Sequence, residues 1–80
     1  FLHERNIAII PKSILRTALA SEVKSLRSKR GLSQAALAEL SRLRQATISD
    51  IEQASGNPTL ETIEQLSKSL KAIPRLKFSE

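Results

Sequence analysis

Gly31-Leu32-Ser33-Gln34-Ala35-Ala36-Leu37-Ala38, then Arg44-Gln45-Ala46-Thr47-Ile48-Ser49-Asp50-Ile51-Glu52, then Asn57-Pro58-Thr59-Leu60 is the stretch that decides the fold of this chain. Ser33 stands where a helix N-cap belongs, and Leu37 and Ala38 face inward on a helix reaching about Leu40. Leu43 or Arg44 begins another helix, whose apolar Ile48 and Ile51 lie three apart on one side. A turn of three or four residues joins the two, and the second opens with polar side chains.

The flanks are helical in pattern as well. Leu15, Leu19, Val23 and Leu26 form one stripe over residues 13–30, with Ser13 as N-cap. Lys29 and Arg30 suit the negative end of that helix dipole, and Gly31 takes the left-handed stop. Gly56-Asn57-Pro58 reads as a loop. Thr59 then caps a helix with the stripe Leu60, Ile63, Leu66 and Leu70, fading near Ala72. The period changes in Arg75-Leu76-Lys77-Phe78-Ser79, where apolar and polar residues alternate as in a half-buried strand. Arg5-Asn6-Ile7-Ala8-Ile9-Ile10 offers a second strand. Two isolated strands are hardly stable in water, so these need each other or a partner chain. The expected organisation is an N-terminal extension over 1–12, a helical domain over 13–72, and a terminal strand over 73–80. Starting at Phe1 rather than Met, the chain reads as a fragment or a trimmed product.

Eighty residues allow one small core, marginal enough that dimerisation would help. Without cysteine there is no disulfide and no thiolate metal site. No apolar run approaches the roughly 18 residues of a membrane span, and the lack of cysteine is compatible with a reducing cytoplasm, the expected location. The formal charge is +5 and the pI about 10.3, the footprint of a polyanion binder. That charge is uneven: residues 13–32 set Arg16, Lys24, Arg27, Lys29 and Arg30 against Glu22, whereas residues 33–58 set Arg42 and Arg44 against Glu39, Asp50 and Glu52.

Catalysis finds no support. His3 is the sole histidine, Asp50 and Glu52 point in different directions on a helix, and two glycines make no phosphate-cradling loop. No catalytic residue, metal or cofactor is expected. A membrane-surface peptide is disfavoured because the basic first helix lacks interfacial tryptophan and its stripe is needed as a core wall.

Helix, short turn and polar-headed helix is the arrangement that places one helix in the major groove of DNA. Gln45 can bond adenine N6 and N7 together, and Arg44 can read guanine O6 and N7 or hold a phosphate. Ala46 offers a methyl contact, as to thymine. Ser49 and Asp50 complete the base-reading set. Asp50 either accepts from cytosine N4 or lies along the helix flank and tunes Arg44. Ser33, Arg42, Thr47 and Asn57 are candidate phosphate contacts.

The segments Gly31-Leu32-Ser33-Gln34-x-x-Leu37-Ala38, Gln45-Ala46-Thr47-Ile48-Ser49-x-Ile51-Glu52 and Asn57-Pro58-Thr59-Leu60-x-Thr62-Ile63 resemble the Cro/CI-type (Xre-type) helix-turn-helix family over about residues 15–72. That resemblance implies an all-α, lambda-repressor-like domain of four to five helices with a short C-terminal β-strand at a dimer interface. It implies a partly buried Arg27–Glu52 ion pair tying the first helix to the recognition helix. It also implies that Gln34 holds backbone phosphate and braces Gln45, as a positioning residue rather than a reader. Two positions depart from the family. Arg42 stands where the turn usually has left-handed glycine, and Ala54 replaces a glycine, which would let the third helix run a turn longer.

The ending Leu70-Lys71-Ala72-Ile73-Pro74-Arg75-Leu76-Lys77-Phe78 resembles that of HipB-type antitoxins. This implies a homodimer closed by the strand carrying Leu76 and Phe78, repression at a palindromic operator on double-stranded DNA in the bacterial nucleoid, and binding of a HipA-like kinase toxin. Pro74 fits a strand start or edge. A module that sequesters a protein partner with little specific DNA binding, and a stand-alone phage-type repressor, are the alternatives.

Overall fold

The computed structural model describes residues 14–73, and two of its helices begin at capping hydroxyls that the sequence supplies. Four helices follow one another among these residues, with no strand: α1 (Ile14–Lys29), α2 (Gln34–Ser41), α3 (Gln45–Glu52) and α4 (Leu60–Leu70). Ser33 Oγ accepts from the Ala36 N–H at 3.0 Å, and Thr59 Oγ1 from the Thr62 N–H at 3.1 Å. Each such cap satisfies a donor that the first turn would leave orphaned, and losing it costs about 1 kcal/mol. Arg44 occupies the cap position of α3 with extended backbone but no side-chain cap.

All four helices stop in one way. A residue with positive φ turns the chain out of the helix, and it and its successor donate back to the last carbonyls. Gly31 (φ 65°) serves α1, with Leu32 N–H on Arg27 O at 3.1 Å. The other three stops carry side chains: Arg42 (φ 58°), Ala54 (φ 58°) and Lys71 (φ 52°). A Cβ in this conformation meets the following carbonyl and costs about 1–2 kcal/mol. After α2, Arg42 N–H reaches Glu39 O at 3.3 Å and Leu43 N–H reaches Ala38 O at 2.9 Å, and Leu43 is folded against the core. Ala54 therefore ends α3 at Glu52 instead of extending it by a turn: its N–H bonds Ile51 O, and both the N–H and Oγ of Ser55 bond Asp50 O.

The core is Ala20 and Val23 of α1, Leu37 and Ala38 of α2, Ile48 and Ile51 of α3, and Leu66 and Leu70 of α4. Leu37 and Ile48 are wholly buried, and α2 packs on α3 with the small Ala38 buried as well. The first helix packs on α3, and α4 packs on α2 and α1. Two stripe residues stay out of this core: Leu15 is 64% exposed and Leu60 81% exposed. Both lie in the opening turn of their helix, which carries the periodicity but not the packing. The two expected strands, Leu76, Phe78 and the Ser13 cap lie outside the described residues.

Candidate nucleic-acid interface

The eight residues of α3 divide cleanly between two sides. Ile48, Ile51 and Glu52 are buried against the body, which leaves Ala46 and Asp50 exposed on the opposite side, Ser49 half-buried, and Gln45 exposed in the opening turn. Helical spacing adds Gln53, also exposed, to this face. Gln53 Nε2 donates to Ser49 Oγ at 3.0 Å, a contact that the sequence reading missed. Arg44 is exposed at the head of the helix, where its carbonyl accepts from Thr47 N–H at 3.0 Å. Thr47 is half-buried on the flank.

What holds this rod is a buried polar cluster at its far end. Arg27 Nε donates to Glu52 Oε2 at 2.6 Å and Nη2 to Oε1 at 3.0 Å, with side-chain exposures of 17% and 2%. The third guanidinium nitrogen, Nη1, donates to Leu32 O at 2.8 Å and clamps the α1–α2 turn. Gln34 Nε2 then donates to Glu52 Oε1 at 3.1 Å. The carboxylate is thus bound to the first turn of α2 as well as to α1. Hydrogen bonding from Arg27 holds the Glu52 carboxyl below its ordinary range against the opposing effect of burial, with help from Gln34; the same bond raises Arg27. A charge pair removed from water is stable only where its remaining lone pairs and protons find partners, and here they do.

The other candidates are spread around this frame. Ser33 is exposed, with its oxygen engaged in capping α2. Arg42 is exposed on the turn between α2 and α3. Asn57 is exposed on the α3–α4 loop, but its Oδ1 accepts from the Arg16 guanidinium, joining that loop to the first turns of α1. No local pattern signals this contact, because 41 residues separate the partners. The Asp50 side chain lies toward the loop: a Cβ on Gly56 would sit 3.7 Å from Asp50 Cβ.

Among the described residues no group of three His, Cys, Asp or Glu side chains gathers to hold a metal ion, and no helix is long and apolar enough to cross a membrane.

The helix-turn-helix family model matches residues 23–77. No curated protein matches the chain significantly. Several solved structures do. The wild-type restriction-modification controller protein C.Esp1396I is 32% identical with a TM-score of 0.74, the match covering 78% of this chain and 80% of that one. The same protein as a tetramer with its natural 35 base-pair operator matches at 0.73 and 32%, over 78% and 82%. A transcriptional regulator of this family from Vibrio cholerae matches at 0.69 and 33% identity, over 72% of this chain and 33% of that one. A chain of the HipA-HipB-O2-O3 complex matches at 0.70 and 32%, over 89% of this chain and 100% of that one. The family and these neighbours are DNA-binding regulators, not enzymes.

Proposed function

The chain belongs to the helix-turn-helix family, and on that premise we propose that it is a homodimeric, sequence-specific repressor, the antitoxin of a HipBA-like operon that it represses itself. The observation that carries the DNA reading is α3: its exposed head, Arg44-Gln45-Ala46, projects while Ile48, Ile51 and Glu52 anchor the rest. In this reading Gln45 reads adenine, Arg44 reads guanine or holds phosphate, Ala46 touches thymine, and Ser49 and Asp50 line the same groove. Ser33, Gln34, Arg42, Thr47 and Asn57 face the backbone. Gln34 does so while its Nε2 is bonded to Glu52 Oε1, so the brace it provides is on Glu52 rather than on Gln45 as the family resemblance implied.

Residues 13–72 form the DNA-binding unit, and residues 73–80, with Leu76 and Phe78, form the strand that closes the dimer. Two recognition helices then meet a palindrome at half-sites about 34–36 Å apart. Double-stranded DNA and a HipA-like kinase toxin are the partners, in the cytoplasm and at the nucleoid. The antitoxin reading is supported by the match spanning all of a chain from the HipA-HipB-O2-O3 complex.

The similarity to C.Esp1396I at a TM-score of 0.74 favours a second reading, a stand-alone regulator without a toxin. Selection of duplexes from a random pool, followed by gel filtration with the product of the neighbouring gene, separates the two. A palindromic consensus and co-elution with a kinase support the antitoxin. The consensus without co-elution supports the stand-alone regulator, and absence of any consensus rejects both.

A further inference from the structure

We infer that Lys29 and Arg30, at the end of α1, form a separate phosphate-contacting edge that supplies much of the sequence-independent attraction for duplex DNA. The inference rests on the DNA-binding reading above and extends it to residues outside the two helices of the motif.

Charge accounting leads to it. From Val23 to Ala38 the chain carries Lys24, Arg27, Lys29 and Arg30 and no carboxylate. One of these cations is already committed inside the protein, since Arg27 is locked on Glu52; Lys24 is exposed. Lys29 and Arg30 are exposed, and neither has an ion-pair partner among the described residues. The helix-turn-helix unit itself has little charge to offer. Arg42 and Arg44 are matched by Glu39 and Asp50, and Glu52 is cancelled by Arg27. A protein binds DNA nonspecifically by releasing counterions from the phosphates it neutralises. Lys29 and Arg30 would add to the phosphate contacts proposed for Arg42 and Arg44, and they carry no neighbouring carboxylate from Val23 to Ala38 to offset them.

Geometry puts the surplus in the right place. Arg30 is three residues from Ser33, within about 11 Å even if fully extended, and the chain there is far from extended. Arg30 N–H bonds Leu26 O at 3.1 Å and Leu32 N–H bonds Arg27 O at 3.1 Å. Arg27 Nη1 on Leu32 O fixes the corner at 2.8 Å. The backbone that carries Lys29 and Arg30 is therefore held beside the first turn of α2, where a helix start favours an anion. The exposed end of α1 and the exposed start of α2 are thus close neighbours in the fold, and in this inference one strand of phosphates lies across both.

The test uses the full chain with Lys29→Gln and Arg30→Gln together, binding a mixed-sequence duplex between about 50 and 200 mM salt. Each lost phosphate contact flattens the log–log salt dependence by about 0.9, so the pair is expected to flatten it by about 1.8. Affinity for every duplex should fall by the same factor, about tenfold at the low-salt end, with the melting temperature nearly unchanged. Lys68→Gln with Lys71→Gln removes equal charge from the end of α4 and should leave the slope in place. If the Lys29/Arg30 variant keeps the wild-type slope, or if the α4 pair flattens it equally, the edge is overturned while DNA binding stands. A merely dipole-offsetting role for these residues would lower the melting temperature and leave the slope unmoved, which also overturns it. Wild-type protein that binds no duplex removes the proposed function and the edge together.

Discussion

Arg27 and Glu52, 25 residues apart, meet in a two-pronged ion pair at 2.6 and 3.0 Å, and through it the end of the recognition helix is fastened to α1. The same carboxylate takes a third hydrogen bond from Gln34, so three helices converge on one buried charge. Any change that leaves one partner alone there acts on the position of α3 as well as on stability.

Replacing Glu52 by Gln is expected to destabilise the fold by about 2–3 kcal/mol. This lies at or below the usual cost of about 3–5 kcal/mol for orphaning a buried charge, because the Arg27 side chain is 17% exposed and can turn partly to water. Urea denaturation measures it. An unaltered midpoint would show that the pair does not hold the domain together.

Acid should reach the same pair. The folded-state pKa of Glu52 is depressed, chiefly by Arg27, below the unfolded glutamate value of about 4.3. Its contribution is therefore fully present above about pH 4.3 and is lost as pH falls through the lower folded value. Arg27 is raised from an already high value and stays charged throughout. Melting temperatures of wild type should drop more steeply below pH 4.3 than those of Glu52→Gln; parallel curves would contradict this.

Arg42 adopts φ 58°, which glycine tolerates without strain. Arg42→Gly is expected to raise stability by up to about 1 kcal/mol, the strain relieved less the added freedom of the unfolded chain. If the guanidinium meets phosphate, the same variant loses DNA affinity and its salt slope falls by about 0.9. Opposite signs for stability and binding are the diagnostic result, and a variant weaker in both would place the value of Arg42 in the fold.

Gln45→Ala should weaken binding to the selected operator by about 1–3 kcal/mol and relax one base position. Affinity for mixed-sequence duplex should hardly change, since Gln45 carries no charge. Equal losses on the two duplexes would remove its role as a reader.

Removing residues 74–80 should shift sedimentation from dimer toward monomer while the far-ultraviolet signal of the helices persists. The core residues Val23, Leu37, Ile48 and Leu66 all lie upstream of the cut. A truncated chain that stays dimeric would exclude the strand as the joint.

Local chemistry accounts for what was legible in the chain. Ser33 and Thr59 announce helix starts because a hydroxyl at that point satisfies an N–H two or three residues away, and that contact needs no tertiary structure. Ile48, Ile51, Leu37 and Ala38 are legible for a similar reason, since helical spacing alone puts them on one side. The family pattern added the Arg27–Glu52 partnership, which spacing could not supply. Packing decided the rest. Whether Leu15 and Leu60 are covered depends on how far a neighbouring helix extends, and it does not extend that far. Ala54 could have continued α3 by its own preference for helix, yet it takes a strained conformation because the chain must turn back toward Pro58 and α4. The bonds of Gln34 to Glu52 and of Arg16 to Asn57 join residues that share no turn, stripe or cap. Interactions within one helical turn are written in the order of residues, whereas those between helices depend on crossing angle and separation, which only the packed core sets.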